Sequence, residues 1–103
     1  MERVSLGMGT TTNPITFKFI EKQDNAHIDC DGYLHSVTLG WFKIIEIGHS
    51  KKGLGFFIPL DFPSYSSDIE SELKGLESGD VIKMSLESVN QRNTAWICSS
   101  LES

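Results

Sequence analysis

YLHSVTLGWFKIIEI, residues 33–47, is a strand signal that is apolar on both faces. Val37, Leu39, Trp41, Ile45 and Ile47 fall on one phase of a period-two pattern, and Phe42 and Ile44 fall on the other. β-Branched and aromatic side chains at this density favour extended chain. A strand with one solvated face alternates cleanly. One that is apolar on both faces is covered on both sides or winds through a barrel wall. Gly40, which has no Cβ, permits sharp coiling in the middle of the run.

The flanking segments carry the same period. Upstream, Ile15, Phe17 and Phe19 alternate with Thr16 and Lys18, and Ala26, Ile28 and Cys30 alternate with His27, Asp29 and Asp31. Gln23-Asp24-Asn25 supplies turn residues between these runs, so they read as a hairpin, with Gly32 marking a bulge or tight bend. Downstream, the glycine-rich loop 48–53 leads into Leu54, Phe56, Ile58 and Leu60, with Phe57 off-phase. Pro59 cannot donate to a ladder, so this return strand ends there or lies at an edge.

One helix is expected near 67–76. Ser67 and Glu70 have capping-box spacing, and Ile69, Leu73 and Leu76 form one apolar stripe. Asp68 and Glu70 lie at its positive end and Lys74 at its negative end. Gly75 and Ser78-Gly79-Asp80 stop it. A final hairpin follows: Ile82, Met84 and Leu86 lead to the polar turn 90–93 and to the strand 94–101. On straight alternation Ala95, Ile97 and Leu101 share one face of that last strand, and Trp96 and Cys98 share the other. Residues 1–14 read as an arm or an irregular strand, and 15–103 as a single β-rich domain.

The fold class expected is mainly β with one short helix. A small, partly open antiparallel β-barrel of the oligonucleotide/oligosaccharide-binding (OB) kind fits the element order, because its helix precedes the fourth of five strands. An α+β roll with the helix on one sheet face is the alternative.

Composition narrows the functional classes. Of 103 residues, 39% are hydrophobic and 22% charged, enough for a core and too little charge for a disordered chain. The formal net charge is −5. Segment 61–80 holds six acidic residues and one lysine, which accounts for all of it. A broad polyanion-binding surface is therefore disfavoured, whereas a local basic patch is compatible. No apolar run approaches the roughly 20 residues of a membrane span. Met1-Glu2-Arg3 leads into a polar stretch without the apolar core of a signal peptide, so a cytoplasmic protein with reduced Cys30 and Cys98 is expected.

Few residues stand out as chemistry. His27, Asp29 and Asp31 share a strand face and have ligand character, but a solvated polar face explains them more simply, so no metal is assigned. Cys98 beside Trp96 reads as core, and Glu70, Glu72 and Glu77 as a solvated helix face. No nucleophile elbow, phosphate loop or paired acid–base carboxylates occur, so the chain is read as non-catalytic and without cofactor. What remains is the basic loop with Lys51 and Lys52, the basic–aromatic run Trp41-Phe42-Lys43, and Phe57 and Tyr65 as surface rings. Flat rings stack bases while lysines track phosphates. The expected function is a small binding domain that takes a single-stranded nucleic acid or another extended ligand through the 48–57 region. Lys51, Lys52, Phe57, Trp41, Lys43 and Tyr65 are the expected contacts. The alternative is a protein-interaction or accessory subunit that uses the acidic helix or a strand edge, with a homodimer as one form of it. No membrane partner is expected.

Overall fold

The structure, a computed structural model, describes residues 11–45 and 54–102. Five antiparallel strands form one sheet: β1 (Ile15–Asp29), β2 (Leu34–Ile44), β3 (Gly55–Pro59), β4 (Val81–Ser88) and β5 (Trp96–Glu102). One helix, α1 (Ser67–Lys74), lies between β3 and β4. The strand order is β3-β2-β1-β4-β5. The radius of gyration is 13.3 Å, close to the ~13 Å of an ordinary compact domain of this length. Among the described residues no helix is long and apolar enough to cross a membrane.

The hairpin expected between 15–19 and 26–30 is a single strand. Gln23-Asp24-Asn25 forms a bulge instead of a turn: Gln23 pairs with Leu39 and Ala26 with Val37, and Asn25 takes φ 58°. Asparagine tolerates this left-handed conformation better than most residues, so the chain absorbs an extra residue and continues. A second bulge lies between Phe19 and Glu21. The actual reversal is at 30–33, where Asp31 (φ 54°) and Gly32 (φ 120°) are left-handed and Cys30 N–H bonds to the Tyr33 carbonyl at 2.8 Å.

The two bulges explain the double-sided apolar pattern of β2. Side chains of a strand alternate between faces, and β2 buries Val37 and Leu39 on one phase and Phe42 and Ile44 on the other. The core is accordingly in two clusters. Phe17, Phe19, Phe42, Ile44, Ile58, Leu60, Leu73, Met84, Leu86 and Cys98 form the larger one. Ala26, Ile28, Cys30, Val37, Leu39, Val89 and Ile97 form the second, with Phe62, Tyr65 and Ala95 packed against it.

A bulge on β5 makes a further correction. Ser85 pairs with Ser100 but Leu86 pairs with Cys98, so Ser99 is the extra residue and the phase flips there. Leu101 therefore joins the large cluster, on the side of Cys98, and does not share a face with Ile97.

The helix begins at Ser67 as expected, but its cap lies one residue earlier. Ser66, not Ser67, is the N-cap, and its hydroxyl accepts from the Ile69 N–H at 3.2 Å. Two adjacent serines make that choice invisible to spacing alone. Leu73 is fully buried, Ile69 and Leu76 pack on the large cluster, and Lys74 pairs with Glu70 at 3.1 Å. A helix of two turns is too short to hold itself, so this packing holds it.

The sheet is not closed, but its edges β3 and β5 come together. Phe56 and Trp96 meet edge to face across the gap, with centroids 6.0 Å apart. Tyr65 spans the same gap: its hydroxyl donates to the Pro59 carbonyl (2.7 Å) and accepts from the Cys98 N–H (3.1 Å). Removing that hydroxyl leaves two backbone groups without a partner, at a cost of about 1–3 kcal/mol. Tyr65→Phe is therefore expected to lower the urea midpoint with an unchanged slope. A midpoint equal to that of the unsubstituted protein would show that the bridge carries no weight.

Candidate binding face on strands β2 and β3

The outward face of β2 and β3 is built by cross-strand pairing. Trp41 pairs with Phe57, and their rings lie 4.8 Å apart at 43°. Phe57 is 54% exposed and Trp41 half-buried, so the pair offers an aromatic surface to solvent. Gly55 lets the indole lie close to β3, because a Cβ there would stand 2.8 Å from Trp41 Cη2. Two residues along β2 from Trp41, Lys43 points to the same side and pairs with Gly55 on β3 and Lys18 on β1. Lys18 and Lys43 are both exposed.

That lysine pair is informative. Like charges directly opposite each other in a sheet are destabilising. Neither lysine makes an ion pair with a described residue, so nothing in the described fold neutralises them. Glu21, opposite Trp41, is the acidic neighbour on this face. An anion laid across the lysines would relieve their repulsion, and a flat ligand group could stack on Phe57 and Trp41.

The residues expected to bind separate into three groups. Trp41, Phe57 and Lys43 come together on this face. Lys51 and Lys52 lie outside the described residues. Tyr65 stands apart as part of the fold: it packs against both clusters and spends its hydroxyl on the β3–β5 bridge, and burial raises its pKa well above the ordinary range. Lys18 was not singled out from the sequence, because its place opposite Lys43 depends on the bulged register of β1.

Of the His27, Asp29 and Asp31 run, the two aspartates do structural work. The Asp31 carboxylate accepts from the Gln91 N–H at 3.0 Å, and Asp29 pairs with Arg92 at 3.5 Å. Buried Asn90 donates to the Asp29 carbonyl (2.9 Å) and to Thr94 Oγ1 (2.8 Å), and accepts from the Thr94 N–H (3.0 Å). The β1–β2 and β4–β5 turns are tied together by these bonds. Among the described residues no group of three or more His, Cys, Asp or Glu could hold a metal ion. Beside this junction Tyr33 (60% exposed), His35 and Phe62 form a row of rings, with centroid steps of 5.0 and 5.4 Å.

Comparison with family models, curated proteins and solved structures finds no match.

Both cysteines are free and buried, each in a different cluster. Burial, then the nearby charges of Asp29 and Asp31, raises the Cys30 pKa. Burial pushes the Cys98 thiol from the usual 9.0 up to about 11, against a smaller opposing effect of its bond to Ser100. A thiol with a raised folded pKa stays protonated in the fold after the unfolded chain has ionised. Stability is therefore unaffected by Cys98 below pH 9 and falls as pH climbs from 9 towards 11. Urea unfolding at stepped pH is expected to show this fall, reduced in Cys98→Ala. An equal fall in both proteins would contradict the assignment.

Proposed function

We propose that this protein is a small non-catalytic binding domain that holds a single-stranded nucleic acid on the outward face of β2 and β3. The observation that carries the reading is the exposed Trp41–Phe57 pair beside two directly opposed, unneutralised lysines, Lys18 and Lys43. Bases of any sequence have a flat face to stack, and each phosphate carries the charge that such lysines lack. Of the acidic segment 61–80, Glu72 borders the β4 end of this face, where it lines a cavity with Val81 and Lys83.

The architecture supports the same reading. Strand order β3-β2-β1-β4-β5, a helix between β3 and β4, and outer strands that approach without closing support a reading as a partly open barrel of the OB kind. Such barrels bind oligonucleotides on the face of their second and third strands. A cytoplasmic setting accords with free, buried thiols.

Titration of the protein with oligothymidylate, read by tryptophan fluorescence at low salt, tests the proposal. Binding should quench fluorescence and weaken as salt is raised. Phe57→Ala removes one stacking surface, worth ~1–3 kcal/mol per base, so a loss of affinity between about five-fold and 150-fold is expected. Phe57 is exposed, so the substitution leaves the core intact. No quenching at any salt concentration, or equal affinity in Phe57→Ala, would overturn the reading.

A further inference from the structure

Three basic side chains on one face of an acidic protein call for an account, and the sheet register supplies it. Lys18 pairs with Lys43 on one side and with Val81 of β4 on the other. Thr16, two residues before Lys18, pairs with Lys83. Side chains two apart on a strand share a face, so Lys43, Lys18 and Lys83 all point outward, on three adjacent strands, on the side that bears Trp41 and Phe57. All three are exposed, and none makes an ion pair with a described residue. Val81, 58% exposed, lies between the last two.

We infer that the bound strand crosses the sheet from β3 over β2 and β1 to β4, stacking on Phe57 and Trp41 and laying its phosphates along Lys43, Lys18 and Lys83. This rests on the binding reading above and extends it by a path and two contact residues. Lys43 faces Lys18 directly, and Lys83 lies one strand over and two residues along, opposite Thr16. With neighbouring strands ~4.8 Å apart and residues ~3.3 Å apart along a strand, the lysines make a diagonal row that runs on from Trp41 and Phe57 and that an extended sugar–phosphate backbone can follow. A path along β2 instead would leave Lys18 and Lys83 without a role, and would run from Trp41 towards Leu39 and Val37, which Phe62, Tyr65 and Ala95 help to cover. The acidic groups bordering the route are Glu21 beside Trp41, Glu102 opposite Lys83, and Glu72 of α1, which lines one cavity with Thr16, Val81 and Lys83, so the charged track is narrow. An extended chain of phosphates fits a narrow track better than a broad polyanionic surface does.

The test is the salt dependence of oligothymidylate binding in Lys83→Gln and Lys18→Gln, with Lys74→Gln as the control because Lys74 sits on α1 paired with Glu70. Each track lysine that neutralises a phosphate contributes about 0.7 to the slope of log affinity against log salt for a single strand. Lys83→Gln and Lys18→Gln should each reduce the slope by about that amount, and the double variant by about twice as much. Lys74→Gln should leave it unchanged. The loss in Lys83→Gln should appear with a twelve-nucleotide ligand and vanish with a three-nucleotide one. Unchanged slopes in both variants, while Phe57→Ala still weakens binding, would overturn the path and leave the binding reading standing. Failure of the unsubstituted protein to bind any oligothymidylate removes both. Equal, Lys83-dependent binding of polyglutamate without tryptophan quenching would make the partner an acidic polypeptide and overturn the inference.

Discussion

Everything outward in this structure depends on the pairing of β1 with β2, and on the two extra residues that β1 carries through it. A fifteen-residue strand and an eleven-residue strand cannot stay flat when one of them holds two bulges. The bulges let β2 bury Phe42 and Ile44 in one cluster and Val37 and Leu39 in another, and they bring β3 and β5 to the point where Tyr65 can bridge them. Past the second cluster the outward face of β2 is left uncovered, and there Trp41, Phe57, Lys43 and Lys18 emerge side by side.

This arrangement separates two kinds of aromatic residue that composition alone cannot distinguish. Phe17, Phe42, Phe56 and Trp96 point to the interior and meet one another edge to face. Trp41 and Phe57 are one residue away from Phe42 and Phe56 in the chain, yet they lie on the opposite side of the sheet. Charge is separated in the same way. The acidic surplus sits in 61–80, the connection that carries the helix, whereas Lys18, Lys43 and Lys83, which make no ion pair with a described residue, sit on the sheet. A net charge of −5 therefore says little about what the sheet can hold.

Much of this was legible in the residues. Period-two alternation placed the apolar runs on strands, and the double-sided pattern of 33–47 announced a strand that buries residues on both phases, as β2 does. Pro59 marked the end of an edge strand, as β3 is. What alternation could not show was a change of phase. Asn25 and Ser99 each insert one residue into a ladder, and a bulge has no obligatory residue type. The first turned an expected hairpin into one strand, and the second moved Leu101 to the other side of β5. The facing of Lys18 and Lys43 follows from the two bulges of β1 and was hidden for the same reason. Asn90, read as a turn residue, is a buried junction because its amide reaches the Asp29 carbonyl sixty-one residues away.

The central claim is that the ligand lies on the sheet face that bears Trp41, Phe57, Lys43 and Lys18. Backbone amide shifts, followed residue by residue as oligothymidylate is added to isotope-labelled protein, locate that contact without any substitution. The account predicts that perturbed amides concentrate at residues 18, 41–43, 55–57 and 81–83, and that those of the helix Ser67–Lys74 stay in place. Shifts gathered on the helix, or on the 30–33 and 90–93 turns with the β2–β3 face unmoved, would contradict it.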